Sequence, residues 1–181
     1  MEHSARSRLA TDPSVVVSEA AQGFDEFYAR EYRAVASLAY ALSGSRWAAE
    51  DIAQDAFIAA YRDWARVGSY EQPGAWVRRV AANRSASLFR RRMVEAKGLA
   101  RIALGQANSL PELSADGVDF WRAVRSLPRR QAQAIALYYL EHLSIAEIAG
   151  VLGAAEGTIK KHLHEGRKTL AHRLGDQEDA G

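Results

Sequence analysis

The sequence contains no cysteine among its 181 residues. This absence excludes a disulfide framework and a cysteine-ligated zinc site, and it fits a reducing compartment. Long apolar runs are missing too, because none approaches the ~20 residues that a membrane-spanning helix needs. Val15 to Val17 is too short an apolar stretch for a signal peptide. We therefore expect a cytoplasmic protein with no membrane insertion.

An excess of charge of one sign is also absent. The chain has 24 basic and 22 acidic residues, a net charge of +2, which excludes a globally basic coating protein. The basic residues are clustered instead, and local clusters matter more for nucleic-acid binding than the total does.

The alternating pattern of β-strands is missing, and apolar residues recur at helical spacing after about residue 20. We predict an all-α protein with two small helical domains, residues 21–97 and residues 118–174. Residues 98–117 contain three glycines and one proline, so we expect a flexible linker that fixes no arrangement of the domains. Residues 1–20 are predicted to be a disordered tail, and residues 175–181 a short polar tail.

The segment from Leu143 to Leu174 has the pattern of a helix-turn-helix. Ser144 followed by Glu147 is a capping box that opens a short helix, and Gly153 stands where a C-cap glycine belongs. A second helix opens near Glu156, and most of its polar positions are basic. Such a pair predicts DNA binding, with the second helix in the major groove.

A polar face is predicted on the helix from Trp47 to Trp64. Asp51, Gln54 and Asp55 lie one helical turn apart and share this face. From composition alone, a solvated face is the better interpretation, because the helix dipole favours Asp near an N-terminus. The apolar residues assigned to the inward side are Ile52, Ala56, Phe57, Ala60, Tyr61 and Trp64.

The next helix, predicted from Ala75 to about Lys97, reverses the charge. Between Arg78 and Arg101 there are eight basic residues and one acid. Basic residues so closely spaced repel one another unless a polyanion neutralises their charge. Basic side chains neutralise phosphate, and amide or hydroxyl side chains can read base edges.

With these motifs in place, residues from about Phe24 to Leu174 resemble a bacterial extracytoplasmic-function sigma factor of group 4. Ala49 to Phe57 matches the AED-x-x-Q-[ED]-x-F helix of sigma region 2, and Pro73 to Trp76 leads into the basic helix as in that family. Leu127 to Gln131 matches the Leu-Pro-x-x-Gln motif before the helix-turn-helix of sigma region 4. Both motifs in this order and spacing form a highly specific pattern.

The resemblance implies an alternative sigma factor that binds core RNA polymerase and directs promoter-specific initiation. It would recognise the −35 element as duplex and the −10 element as melted DNA. The implied partners are promoter DNA and the β′ clamp helices and β flap of the polymerase, with an anti-sigma protein as a further candidate. No enzymatic activity, cofactor, metal or small-molecule substrate is implied, because the polymerase supplies the catalytic metal.

The resemblance also assigns roles to individual residues. The residues assigned to polymerase binding are Asp51, Gln54, Asp55 and Phe57. Those assigned to the −10 element are Arg79, Asn83, Ser87, Arg90 and Arg91, with the loop from Val67 to Gly74 helping to trap a flipped-out base. Those assigned to the −35 element are Thr158, Lys160, Lys161, His164, Arg167 and Lys168.

Four positions depart from the family pattern. Glu165 of the recognition helix stands where relatives often carry Arg; it cannot hold a phosphate, but it could accept a hydrogen bond from a cytosine N4 amine. Ser87 stands where many relatives carry Asp or Asn, so the −10 preference should differ. His142 replaces a glycine that is common in the turn before Ser144. Gly166 lies within the recognition helix, where glycine costs about 1 kcal/mol of helix stability relative to alanine.

Two other functions fit parts of the sequence. A stand-alone helix-turn-helix regulator would share the C-terminal half but needs neither the Ala49 to Phe57 motif nor the basic helix after it. A helical adaptor would not need two separate basic helices. An enzyme is disfavoured, because His162 and His164 do not have the i, i+4 spacing of helical metal ligands.

Overall fold

The computed structural model describes the backbone of residues 13–98 and 115–178, and the side chains of residues 23–85, 87–88 and 117–175. The regular structure in these ranges is α-helical throughout, which confirms the predicted all-α fold. None of the helices described is both long enough and apolar enough to cross a membrane. The helices are α1 (Pro13–Ser43), α2 (Arg46–Arg62), α3 (Trp64–Val67), α4 (Pro73–Gly98), α5 (Ala115–Arg125), α6 (Arg129–Tyr139), α7 (Ile145–Leu152) and α8 (Glu156–Glu178).

Helices α1 to α4 form the first domain, in which α1, α2 and α4 pack on one another. Ser45 caps α2, since its hydroxyl accepts a hydrogen bond from the backbone N–H of Ala48. The inward face of α2 is rich in alanine, which lets the neighbouring helices approach closely. The buried apolar residues of this domain include Phe27, Val35, Ile52, Ala53, Ala56, Phe57, Val77 and Ala81.

The first helix begins earlier than the sequence predicts. We expected residues 1–20 to form a disordered tail, but α1 starts at Pro13. Proline suits the first turn of a helix, where its missing N–H is not needed, and the alanines at 20 and 21 favour helix. The predicted tail over residues 1–12 and most of the predicted linker, residues 99–114, lie outside the described residues.

Helices α5 to α8 form the second domain, and α7 and α8 are the predicted helix-turn-helix. The capping box is confirmed: the Ser144 hydroxyl accepts from the Glu147 backbone N–H, and the Glu147 carboxylate accepts from the Ser144 backbone N–H. Gly153 ends α7 in the left-handed conformation, with φ of 62°. Ile148, Leu152 and Ile159 are buried where the two helices meet α6.

The two domains pack against each other. Leu38 and Leu42 of α1 belong to the same buried apolar cluster as Val124 and Ile135 of the second domain. At the edge of this contact, Arg125 donates a hydrogen bond of 3.2 Å to the backbone oxygen of Ala41. Sequence patterns predict no arrangement of the domains, because these contacts join residues far apart in the chain.

A three-residue ion cluster reinforces the contact. Arg78 of α4 donates to Glu31 of α1 at 2.7 Å and to Glu141, in the turn after α6, at 2.9 Å. Burial by itself would lower the pKa of Arg78, but Glu141 and Glu31 outweigh it and raise that pKa. Burial would likewise raise the pKa of Glu31, and hydrogen bonds from Arg78 and Arg30 lower it instead. Both groups therefore favour their charged forms in the folded chain.

Candidate nucleic-acid and partner interfaces

The outer face of α2 carries the predicted acidic set. Asp51, Gln54 and Asp55 are all exposed, while Ile52 and Ala56 on the opposite face are buried. The helix thus presents two carboxylates and an amide to solvent from a rigid element, packed by its alanine-rich inner face. The arrangement suits a basic partner surface.

Three large apolar side chains extend this acidic face. Trp47 is 79% exposed, Tyr61 58% and Ile58 47%. Together with Asp51 and Gln54 they follow the i, i+4, i+7 spacing of a single helix face. The predicted inward position of Tyr61 is wrong, because its side chain is exposed, although its ring contacts that of Phe24 in a T-shaped arrangement. The helical spacing of Trp47 and Ile58 relative to Asp51 could have predicted that all three residues share one face of α2.

Phe57 is not part of this surface. Its side chain is 2% exposed and its ring packs against Phe27, Tyr28 and Tyr32 at centroid distances of 4.9–5.9 Å. The sequence motif placed it with the docking residues, but a buried ring cannot contact a partner directly. Phe57 holds α2 against α1 and so supports the exposed face from behind.

An ion pair links the acidic face to the basic helix. Asp55 of α2 accepts from Arg84 of α4, and both side chains are about half exposed. Exposed pairs of this kind contribute little stability, at most about 1 kcal/mol. Either partner can therefore exchange this contact for another at small cost.

The candidate −10 residues Arg79, Asn83 and Ser87 lie four residues apart along one stripe of α4. The Ser87 hydroxyl donates to the backbone oxygen of Asn83 at 2.9 Å. A groove of about 620 Å³ runs beside this stripe, and it brings the two predicted sites together. The side chains of Arg90 and Arg91 lie outside the described residues. The groove is lined by Asp51, Ile52, Asp55, Asn83, Arg84, Ser87, Leu88 and Arg129.

The loop between α3 and α4 forms a second recess. Arg66 donates to the Tyr70 hydroxyl at 2.8 Å, which holds the aromatic ring at the loop. Tyr70, Trp76 and Arg79 line a groove of about 490 Å³ whose opposite wall is α7 of the second domain. Aromatic and basic side chains around a recess are the groups that hold an unpaired base. The acidic residues Glu71 and Glu147 also line this recess.

The recognition helix α8 presents its predicted basic side chains to solvent. Its apolar residues Ile159, Leu163 and Leu170 are buried, which fixes the rotation of the helix. Lys161 lies 3.8 Å from Glu165, one turn further along. The exposed residues on this helix include Thr158, Lys160, Lys161, His164, Arg167 and Lys168.

Arg167 differs from the other basic residues of α8. It donates to the Tyr139 hydroxyl at 2.9 Å, and its guanidinium lies 4.7 Å from the ring centroid of Tyr138. Burial would lower its pKa, but hydrogen bonds to the two tyrosines raise that pKa. Arg167 thus ties α8 to α6 and is less free than its neighbours to move toward DNA.

Comparison with known proteins gives a consistent result for both halves. Residues 27–94 match the family model described as Sigma-70 region 2, and residues 118–170 match the one described as Sigma-70, region 4. The chain is 34% identical over 163 residues to the ECF RNA polymerase sigma factor SigE of Mycolicibacterium smegmatis. That match covers 83% of this chain and 61% of the relative, so the chain spans less than two thirds of that protein's length.

Two further proteins are similar over most of their own length. The ECF RNA polymerase sigma factor SigM of Mycobacterium tuberculosis is 30% identical over 158 residues, covering 84% of this chain and 77% of the relative. Among solved structures, the sigma factor RpoE in complex with the anti-sigma factor NepR, from Bartonella quintana, has a TM-score of 0.64 and 28% identity. That similarity covers 84% of this chain and 96% of the solved chain.

Proposed function

Because this chain belongs to the extracytoplasmic-function family of RNA polymerase sigma factors, we propose that it binds core RNA polymerase and directs initiation at specific promoters. It is an alternative sigma factor of the group 4 subclass and acts in the cytoplasm, where it meets the polymerase. It performs no catalysis itself, since the polymerase supplies the active site. The observation that carries this proposal is the presence of regions 2 and 4, in that order, in one chain.

The proposed polymerase-binding surface is the outer face of α2. Asp51, Gln54 and Asp55 supply the polar contacts to the β′ clamp helices, and Trp47 and Tyr61 flank them as apolar anchors. Exposed aromatic side chains beside a charged patch are typical of protein interfaces, where they carry much of the binding energy. The partly exposed pair of Asp55 with Arg84 is weak enough to be exchanged on binding.

The proposed −10 surface is the stripe of Arg79, Asn83 and Ser87 on α4, continued by Arg90 and Arg91. Arginines hold the backbone of the melted strand, while amide and hydroxyl groups contact base edges. The recess at Tyr70 and Trp76 holds a flipped-out base by stacking. Captured bases offset the few kcal/mol that unpairing requires, so melting needs no nucleotide hydrolysis.

The proposed −35 surface is the exposed face of α8. This helix lies in the major groove, where Thr158 and His164 face base edges and Lys160, Lys161 and Lys168 face phosphates. We assign Arg167 a phosphate contact made while it remains bound to Tyr139. The second domain also meets the β flap of the polymerase in this proposal.

An anti-sigma protein is a further proposed partner. The similar RpoE structure was solved with the anti-sigma factor NepR. A protein of that kind would inhibit this chain by covering the polymerase-binding or DNA-binding faces.

A charge-reversal variant tests the polymerase-binding surface. Asp51→Lys combined with Asp55→Lys should weaken binding to core polymerase by at least about tenfold, because two attractive contacts become repulsive. The matched control reverses two exposed acids on α1, Asp25→Lys and Glu26→Lys, and should bind as the parent does. Fluorescence titration of labelled chain with core polymerase measures both. Unchanged affinity in the α2 variant, with the fold intact by circular dichroism, would contradict the assignment.

A further inference from the structure

The recognition helix α8 carries one acidic side chain among its basic ones. Between Gly157 and Gly175 there are five lysines and arginines and a single acid, Glu165. A carboxylate on a helix that approaches phosphates is repelled by them, so this residue weakens DNA binding unless it meets a hydrogen-bond donor. The only donors that bases offer in the major groove are the exocyclic amines of cytosine and adenine.

Glu165 lies within the face of α8 that is proposed to meet the −35 element. It follows His164 directly, and it lies one helical turn from Lys161 on one side and from Lys168 on the other. Its side chain is 42% exposed, and its Oε1 atom is 3.8 Å from Nζ of Lys161. The carboxylate is therefore accessible to a base pair in the groove that these lysines border.

Gln131 of α6 holds this carboxylate. Its Nε2 donates a hydrogen bond of 3.1 Å to Oε2 of Glu165. The amide oxygen of Gln131 is buried and accepts no hydrogen bond from the residues that the structure describes, so among these residues Glu165 is the polar partner of its side chain. Turning the amide over would bring its oxygen against the carboxylate, which fixes the orientation of Gln131.

The glycine at position 166 lets the two helices approach at this point. A Cβ on Gly166 would lie 3.0 Å from Cγ1 of Ile135 and 3.6 Å from Cβ of Gln131. The backbones of α6 and α8 are therefore close enough for Gln131 to reach Glu165. This contact uses one carboxylate oxygen, and within the described part of the chain no hydrogen bond is made to the other, Oε1.

A carboxylate oxygen held in one place distinguishes cytosine from the other bases. In the major groove, cytosine presents its N4 amine alone, adenine presents its N6 amine beside the acceptor N7, and guanine and thymine present acceptors. A carboxylate has only acceptors to offer. It therefore accepts a hydrogen bond from cytosine, is partly repelled by N7 of adenine, and makes no hydrogen bond with guanine or thymine.

We propose that Glu165, held by Gln131, recognises a cytosine in the −35 element. Glu165 contacts the base, and Gln131 is a positioning residue that fixes one carboxylate oxygen and leaves Oε1 for the N4 amine. Lys161 and Lys168 beside it supply affinity through phosphates, without sequence preference. This inference rests on the proposed −35 role of α8 and adds the preferred base at one position of the element.

Substitution of Glu165 should change the base that is selected. The full chain, reconstituted with core RNA polymerase, selects from duplex DNA randomised over the −35 and −10 elements, and the bound sequences are counted. At one −35 position the parent should favour C by at least about fivefold, Glu165→Gln should favour A, and Glu165→Arg should favour G, because each side chain matches the donors and acceptors of that base. The matched control is Glu156→Gln, which neutralises the exposed acid at the start of the same helix and should keep the parent's preference for C.

The positioning role of Gln131 is tested by Gln131→Met, which keeps a side chain of similar length and removes its hydrogen-bond donor. The preference for C should fall several-fold at that one position, while the bases selected at the other positions stay as in the parent. A merely structural role would weaken selection at every −35 position alike. A Gln131→Met chain that keeps the full preference for C would remove the positioning role.

The results also separate this inference from the proposed function. If the parent, Glu165→Gln and Glu165→Arg all select the same bases, or if the parent favours a base other than C at the position that responds, the inference is overturned and the proposed function stands. If the chain does not join core polymerase, or selects no −35 sequence, the proposed function itself is contradicted and the inference fails with it.

Discussion

Gly166 of α8 packs against Ile135 of α6, so a glycine that weakens the helix also serves the contact between the two helices. A helix-interior glycine is expected to cost about 1 kcal/mol relative to alanine. The structure supplies a packing reason, because an added Cβ would lie 3.0 Å from Cγ1 of the buried Ile135. Propensity alone could not reveal this, since the contact joins two distant helices.

We predict that Gly166→Ala gives no gain in stability. The ~1 kcal/mol of helix propensity is offset by overpacking against Ile135, which typically costs about 1–3 kcal/mol. Gly150→Ala in α7 is the matched control, because a Cβ there meets nothing within 4 Å. Urea unfolding should show a higher midpoint for the control only. A clear gain from Gly166→Ala would mean that Ile135 moves aside freely.

His142 is the one non-glycine residue in the described ranges with a positive φ, 53°. Left-handed backbone is tolerated by His and Asn far better than by β-branched residues. We predict that His142→Val lowers the free energy of unfolding by roughly 1–2 kcal/mol, whereas His142→Asn is close to neutral. Thermal unfolding followed by circular dichroism compares the two. Equal melting temperatures would show that the turn adapts to any residue.

At the scale of single helices, the sequence predicted helix ends correctly where the local capping signals were strong. The capping box at Ser144 and the glycine at 153 predicted both ends of α7, because each end depends on neighbours in the chain. The helix α1 begins at Pro13, inside the segment that was expected to be a disordered tail, and proline suits the first turn of a helix. The rotation of α2 was right for Asp51 and wrong for Tyr61, because an aromatic ring suits either side of a helix.

The recognition helix gives a prediction about salt. Lys160→Ala with Lys161→Ala should weaken binding of duplex promoter DNA and flatten its dependence on salt. Each lost phosphate contact reduces the slope of log affinity against log salt by about 0.9. A chain with Arg46→Ala and Arg62→Ala, on α2, is the charge-matched control and should keep the parent slope. If both variants behave alike, the two lysines are ordinary surface residues.

At the scale of the whole molecule, acid should weaken the ion cluster at Arg78. The pKa of Glu31 is lowered in the folded chain, so its contribution is present above the ordinary value of 4.5 and is lost as pH falls through the lowered pKa. Glu31→Gln should therefore unfold more easily than the parent at neutral pH, and the difference should shrink below about pH 4.5. Urea unfolding between about pH 3 and pH 7 measures this. The exposed Glu26→Gln is the control, and a gap that is as large at the acid end of this range as at neutral pH would contradict the linkage.

The arrangement of the domains was beyond the reach of the sequence. From the sequence, Gln133 is an ordinary polar residue of α6. No neighbouring residue in the chain indicates that its side chain donates hydrogen bonds to Ala82 and Asn83. Local patterns identified the two domains and most of the exposed charged residues. The contacts that join the domains depend on long-range packing, whereas the burial of Phe57 follows from the apolar spacing along α2 that the sequence shows.

The most direct test of the proposed function is competition for core RNA polymerase between this chain and the housekeeping sigma factor. We predict that the housekeeping factor displaces the chain from the polymerase, and that the reconstituted enzyme starts transcripts at promoters that the housekeeping enzyme does not use. Duplex DNA binding without any binding to core polymerase would contradict this prediction. The chain would then be a stand-alone regulator, and the exposed face of α2 would need another explanation.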